Sequence, residues 1–151
     1  MQHSDADFAS DRADSKSTSG LSLVLVGPLA AHSKKQTAVS HSTAEAEVVA
    51  AEASMRELGV PALDLWEIIL ERAVEIKLLE DDQTTATNIR TGRFPKLRRV
   101  QRMHGVNIRW LYDGIRRGVF KFTTVIHNEW PRIYSRSISP RANPGNMRCV
   151  C

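Results

Sequence analysis

The sequence has almost no cysteine and no long hydrophobic run. Its 2 cysteines, Cys149 and Cys151, are separated by one residue at the end of the chain, so they cannot close a useful loop and lack the partners that a zinc site needs. No apolar run approaches the roughly 18 residues that cross a bilayer. The first residues have neither the basic start nor the apolar core of a secretory signal. We therefore expect an intracellular protein, cytoplasmic or nuclear, that is not secreted and has no membrane partner.

Acidic residues are scarce in the second half of the chain. Residues 1–89 contain 7 Lys/Arg and 15 Asp/Glu, whereas residues 90–151 contain 14 Lys/Arg and 2 Asp/Glu, so the net charges are −8 and +12. Such a division suits a protein that binds a phosphate backbone with one part and gathers carboxylates, with or without metal, in another. Ordinary solvated helices would explain the same division. Charge alone leaves both interpretations open.

The apolar segments predict one α/β domain. A chain of 151 residues, 42% of them hydrophobic, is long enough for one core. Leu21–Val26, bounded by a glycine and a proline, is typical of a strand, and Leu29–Ser40 is a second extended segment that would pair with it antiparallel. Val74–Leu78 alternates apolar and charged residues, as a half-buried strand does. Val119–Ile126 is the last strand candidate.

Capping and breaking residues predict the helices between these strands. Ser42–Glu45 has the pattern of a capping box, in which a hydroxyl and a carboxylate satisfy each other's backbone N–H groups, so a helix should begin there. Gly59 is predicted to end that helix as a C-cap, and Pro61 to begin the next. The buried face of this second helix is predicted to consist of Leu65, Trp66, Ile69 and Leu70. Gln83–Ile89 predicts a short helix, and Leu97–Arg117 a basic helical stretch weakened by an internal glycine.

Five short motifs occur in order along the chain. They are Ser4–Ala9, Lys16–Gly20, Ser33–Gln36, Ala44–Glu47 and Glu80–Gln83. In this order and approximate spacing they resemble the ribonuclease H domain of copia-type LTR retrotransposon Pol polyproteins. The similarity covers about residues 4–118 and decays beyond Phe122.

The resemblance implies a ribonuclease H-like α/β fold in residues 1–127, a mixed five-stranded β-sheet flanked by α-helices. We expect the first strand to be truncated, because the chain begins directly before Ser4, and residues 128–151 to form an irregular, poorly ordered tail. The resemblance also implies hydrolysis of the RNA strand of an RNA–DNA hybrid with two Mg²⁺ ions, or Mn²⁺, as cofactor. The nucleic-acid partner would be such a hybrid or another nucleic acid, and the domain would normally be part of a reverse transcriptase polyprotein.

The resemblance identifies three carboxylates as catalytic and metal-binding candidates. They are Asp5, Glu47 and Asp81. Asp5 would bridge both ions, while Glu47 and Asp81 would each hold one. Hard cations take oxygen ligands, and ligands on distant segments must converge on them. Other acids in these motifs have structural explanations: Glu45 completes the capping box, Asp82 could cap the following helix, and even Asp5 could lie in a turn.

Basic side chains are the candidates for contact with the nucleic-acid backbone. These candidates are Lys34, Lys35, Arg98, Arg99 and Arg102. The lysines could equally form a solvated turn and the arginines a solvated helix face, but the scarcity of acids around the arginines favours phosphate contact. Trp66 and Trp110, at helical spacing with apolar neighbours, are predicted to lie in the core rather than to stack on bases.

Two positions depart from the family pattern. The closest counterpart of the family's fourth carboxylate motif is Pro131–Arg136, in which Arg132 replaces the aspartate. A cation there would remove a ligand and repel Mg²⁺. Asn107 replaces a family aspartate that we take to be structural. We therefore expect weak or absent hydrolysis. The alternative function is a nucleic-acid-binding module that keeps the fold without cleavage, and a third hypothesis is a product that does not fold stably.

Overall fold

Five strands form one mixed sheet. The computed structural model describes residues 1–24, 28–94 and 97–124. The strands are β1 (Gln2–Asp7), β2 (Thr18–Val24), β3 (Pro28–Lys35), β4 (Lys77–Glu80) and β5 (Lys121–Thr124). They lie in the order β3-β2-β1-β4-β5. The first three pair antiparallel, whereas β4 runs parallel to both β1 and β5. The predicted mixed five-stranded sheet is confirmed.

The helices lie after β3 and on either side of β4. They are α1 (Thr43–Ser54), α2 (Val60–Leu70), α3 (Gln83–Thr91), α4 (Leu97–His104) and α5 (Ile108–Arg116). Helix α1 packs on β1 and β2, and α3 packs on α5. The fully buried apolar side chains between these layers include Val48, Met55, Leu78, Ile89, Leu111 and Phe120. This arrangement places the first turns of α1 directly over the central strand of the sheet.

Helix α1 begins at the predicted capping residues. The Glu45 N–H donates to Ser42 Oγ at 3.2 Å, as the capping box requires. The Glu45 carboxylate accepts from the N–H of His41 at 3.2 Å, one residue before the position that the pattern predicts. Both groups therefore stabilise the start of the helix, and the carboxylate of Glu45 has a structural role.

Gly59 does not end the helix, and that prediction is wrong. The chain continues from α1 through a π-helical turn, Met55–Gly59, directly into α2. Gly59 has right-handed angles, φ −64° and ψ −58°, rather than the left-handed conformation of a C-cap. A Cβ atom at this position would lie 2.8 Å from Met55 Sδ. The glycine is therefore explained by close packing within the π-helical turn.

The predicted buried face of α2 is also wrong. Leu65, Ile69 and Leu70 are exposed, Ile68 is 76% exposed, and Leu63 is the buried residue of this helix. A π-helical turn contains an extra residue and so shifts the phase of the side chains that follow it. The shift turns Leu63 toward the core, which periodicity within α2 alone could not indicate.

The basic stretch from Leu97 to Arg117 is divided into two helices. Gly105, with φ +67°, follows the end of α4 in a conformation that favours glycine. Asn107 then caps α5, since its Oδ1 accepts from the N–H of Trp110 at 3.2 Å. Trp110 is 36% exposed, so its predicted place in the core is wrong, although its ring contacts Phe120, with centroids 6.1 Å apart. It lies at the edge of the core rather than within it.

Several expectations concern residues outside the described part of the chain. These are the end of the last predicted strand, the tail 128–151 and Arg132. Within the described part, none of the helices is both long and apolar enough to span a bilayer.

Candidate active site

Two of the predicted acids lie on neighbouring parallel strands. β1 and β4 pair with Gln2 opposite Leu78 and His3 opposite Leu79. Continued by two residues, this register places Asp5 of β1 beside Asp81, which directly follows β4. Asp5 and Asp81 therefore lie side by side in the fold, although 75 residues of sequence separate them.

Glu47 brings the third carboxylate from α1. Its side chain is buried, and one oxygen, Oε2, has no hydrogen-bond partner. Burial, followed by the charges of Asp5 and Asp81, raises the pKa of Glu47 to about 8, while an N–H donated by Ala6 opposes the shift. Glu47 is thus close enough to both Asp5 and Asp81 for their charges to affect its pKa.

A fourth acid, Glu80, belongs to this cluster and was not predicted. It is fully buried at the end of β4, where its carboxylate accepts from Ser4 Oγ and from the N–H of Asp82, each at 3.3 Å. Burial and then the charge of Glu47 raise its pKa to about 9. The available signal was the strand alternation, which puts position 80 on the same face as Ile76 and Leu78. We call Asp5, Glu47, Glu80 and Asp81 the acidic cluster.

Two other acids of the motifs have capping roles, as the structural alternatives predicted. Asp82 caps α3, accepting from the N–H groups of Thr84 and Thr85 and, at 2.6 Å, from the hydroxyl of Thr85. Glu45 Oε1 lies 3.4 Å from Nε2 of His104, whose pKa is lowered by burial. Glu45 therefore serves the start of α1 and its contact with α4.

The donor atoms of the acidic cluster fit a divalent cation. All of them are carboxylate oxygens, which hard cations such as Mg²⁺ prefer. The unpartnered Oε2 of Glu47 and the raised pKa values of Glu47 and Glu80 indicate that the charged forms of these groups are disfavoured and that a cation would stabilise them. Among the described residues, no group of three His, Cys, Asp or Glu side chains is already arranged to hold a metal ion.

The predicted basic contacts lie on two separate elements. At the end of β3, Lys34 pairs with Glu57 at 3.1 Å, and Lys35 pairs with Asp11 and Asp14 at 2.6 and 2.9 Å. Both lysines are exposed but already ion-paired. Arg99 is partly exposed and Arg102 is exposed on α4, a helix without acidic residues. The side chain of Arg98 lies outside the described part of the chain.

Comparisons with known proteins identify the fold. No family profile and no curated protein matches the sequence. A ribonuclease H1 from the halophilic archaeon Halobacterium salinarum is similar in structure, with 17% identity, a TM-score of 0.57 and coverage of 84% of this chain and 85% of that one. A ribonuclease H1 named LC11, in complex with an RNA/DNA hybrid, has 10% identity, a TM-score of 0.57 and the same coverage. Another structure of LC11, isolated from compost, has 12% identity, a TM-score of 0.51 and 84% coverage of both chains. The chain therefore has the ribonuclease H fold.

Proposed function

We propose that this chain is a ribonuclease H domain that binds RNA–DNA hybrids and hydrolyses their RNA strand with divalent metal ions. The observation that carries the proposal is the convergence of Asp5, Glu47 and Asp81 from a central strand, a capped helix and a parallel strand end. We assign these three carboxylates as the metal ligands and catalytic residues. The hybrid bound by the structurally similar LC11 enzyme supports the choice of substrate.

The three carboxylates differ in ways that suit this function. Asp5 is exposed on β1 and therefore accessible to a metal ion, whereas Glu47 is buried and held by the N–H of Ala6. Divalent ions at such a centre would activate a water molecule for attack on phosphorus and stabilise the leaving oxygen. Glu80, which accepts hydrogen bonds from Ser4 Oγ and from the N–H of Asp82, would hold the backbone on either side of Asp81 in place.

The arginines of α4 and the lysines at the end of β3 would contact the hybrid backbone. Phosphate contacts of this kind provide affinity that falls as salt rises. Arg99 and Arg102 are the stronger candidates, because Lys34 and Lys35 are already paired with carboxylates.

Cleavage of a labelled hybrid in Mg²⁺ or Mn²⁺ tests the proposal. We expect weak metal-dependent cleavage, because Arg132 replaces the fourth carboxylate in the matched motif, and we expect Asp81→Asn to abolish it. Asp64→Asn is the matched control, because it makes the same chemical change on an exposed surface of α2. Cleavage that survives Asp81→Asn, or that Asp64→Asn abolishes equally, would show that the assigned site is wrong.

The ordered motifs further support a proposal of origin in a copia-type retrotransposon polyprotein. A second candidate function, a binding module without hydrolysis, is favoured by Arg132 at the position matched to the fourth carboxylate. Salt-sensitive hybrid binding without cleavage in either metal would support this second function. Arg132→Asp tests the fourth-ligand assignment separately: if metal affinity does not rise, either the alignment or the role assigned to this position is wrong.

A further inference from the structure

The side chain of Gln36 connects three parts of the domain. It is buried at the end of β3, and its amide nitrogen donates to Ser19 Oγ and to the carbonyl oxygen of Ala46, both at 2.9 Å. Its amide oxygen accepts from Ser40 Oγ at 2.8 Å. Both N–H groups and the carbonyl of this amide are therefore used, as a buried glutamine requires.

The two groups that accept from Gln36 adjoin the acidic cluster. Ser19 of β2 pairs directly with Ala6 of β1, the residue that follows Asp5. Ala46 of α1 precedes Glu47. One amide group thus links the strand pair that carries Asp5 to the helical turn that carries Glu47.

Small side chains allow this link to be short. Ala6, Ala46 and Ala50 form their own buried contact between β1 and α1. Such small residues bring the helix close to the strand, but methyl contacts alone do not fix how far it rotates or slides. The hydrogen bonds of Gln36 provide the directional restraint, since their distance and angle are narrowly defined.

We propose that Gln36 is a positioning residue that fixes Glu47 relative to Asp5 by bonding Ser19 and Ala46 at once. The proposal rests on the proposed function for its catalytic consequence, but the anchoring of α1 is a separate claim. Gln36 lies in the Ser33–Gln36 motif, beside the lysines that are the predicted nucleic-acid contacts. Its buried network accounts for the glutamine of that motif without any contact to nucleic acid.

Gln36→Met tests the anchoring, because methionine has a similar length and no hydrogen-bonding amide. In amide hydrogen exchange, we expect faster exchange confined to residues 44–50, the first turns of α1. We also expect the affinity for Mn²⁺ and kcat on the hybrid to fall by about 10-fold to 100-fold, the range found for outer-shell partners of metal ligands. KM for the hybrid should remain nearly unchanged, because the stronger basic candidates, Arg99 and Arg102, lie on α4, away from Gln36 in the sequence.

Val100→Ala is the matched control for a general loss of stability. Val100 is fully buried in α4, so its truncation should destabilise the fold without selectively exposing the first turns of α1. Ser40→Ala removes the accepted bond but keeps both donated ones, so it should retain near-normal Mn²⁺ affinity. If Gln36→Met is too unstable to purify, Ser19→Ala removes the same link at its β2 end and should give the same pattern.

The outcomes separate the positioning role from a merely structural one. Unchanged exchange in residues 44–50, or the same exchange pattern in Gln36→Met and Val100→Ala, would overturn the anchoring. Faster amide exchange confined to residues 44–50 of Gln36→Met, together with unchanged Mn²⁺ affinity, would overturn the link to Glu47. If the wild-type chain binds Mn²⁺ but cleaves no hybrid, the proposed hydrolysis fails, while exchange and Mn²⁺ affinity still decide the role of Gln36.

Discussion

The acidic cluster and helix α4 carry opposite charges, and they differ in how deeply their charged side chains are buried. Burial, with the charges of Asp5 and Asp81, raises the pKa of Glu47 to about 8, and burial, with the charge of Glu47, raises the pKa of Glu80 to about 9. Arg99 and Arg102 of α4 are partly exposed and exposed, respectively, on a helix that has no acidic residue. Water screens the second group of charges, whereas burial and crowding leave the first without compensation.

This difference indicates which region is built for a specific task. Burying like charges lowers the stability of a fold, so their accumulation at one place calls for a function or a ligand. Exposed cations on a helix have no such cost, and they need no explanation beyond solubility. The acidic cluster is therefore the stronger functional indication, and the basic surface depends on it for its interpretation.

Glu47→Gln gives the largest expected effect, and it should lower the activity while it raises the stability of the metal-free protein. Loss of a proposed metal ligand should reduce metal-dependent cleavage by at least about 100-fold, the upper range for a mere outer-shell partner. The same change removes a buried charge, so the metal-free variant should unfold at a higher denaturant concentration near pH 8. Glu71→Gln, on an exposed residue, is the control that should change neither. Retained cleavage, or a lower stability, would contradict the assignment of Glu47.

The pH dependence of stability should show the same crowding without any substrate. A carboxyl group whose pKa is raised by folding stabilises the protein fully below its ordinary value, here 4.5, and this contribution is lost as pH rises through the folded value. The free energy of unfolding of the metal-free protein should therefore fall from about pH 5 to pH 9, by on the order of a few kcal/mol. Denaturant titrations across this range would measure it.

Two additions make that experiment specific. Glu80→Gln should flatten the pH profile, because it removes the group with the most strongly raised pKa. Added Mg²⁺ should restore stability at high pH by binding the folded chain alone. A profile that keeps its slope in Glu80→Gln and in Mg²⁺ would show that the buried carboxyls are not its source.

The sequence predicted the fold and three acids because their signals are local or shared with a family. Strand alternation, the capping residues before α1 and the five ordered motifs were each readable in short segments. Glu80 was missed because a buried glutamate is unusual and the neighbouring Asp81 carried the motif. Its partners, Ser4 and Glu47, are distant in sequence.

The errors in α2 have a different cause. Periodicity identifies an apolar face, but the direction of that face depends on the helix phase at its start. The π-helical turn Met55–Gly59 changes that phase, and nothing in the pattern of Leu65, Ile69 and Leu70 reveals it. The network of Gln36 was likewise unreadable, because it depends on the packing of α1 against β1 and β2.

Gln2 provides a test of whether buried polar groups in β1 are costly in general. Its side chain is fully buried on β1, the strand that also carries Asp5, and neither amide atom has a hydrogen-bond partner. Gln2→Met should raise the free energy of unfolding by about 1 to 3 kcal/mol, because it removes an unsatisfied polar group of similar shape. Mn²⁺ affinity measured by calorimetry should stay unchanged. A loss of affinity would mean that Gln2 also supports the cluster and that the two effects cannot be separated.

The smallest expected effect, a change in the salt dependence of hybrid binding, distinguishes the arginines of α4 from the lysines at the end of β3. Arg102→Ala should reduce the slope of log affinity for a labelled hybrid against log salt by about 0.9, the value for one lost phosphate contact. Lys35→Ala should reduce it less, because Lys35 already bonds Asp11 and Asp14 and lowers the pKa of both. Anisotropy titrations at several salt concentrations would measure both slopes. Equal reductions would mean that the hybrid displaces the aspartates from Lys35, which would extend the nucleic-acid surface from α4 to the end of β3.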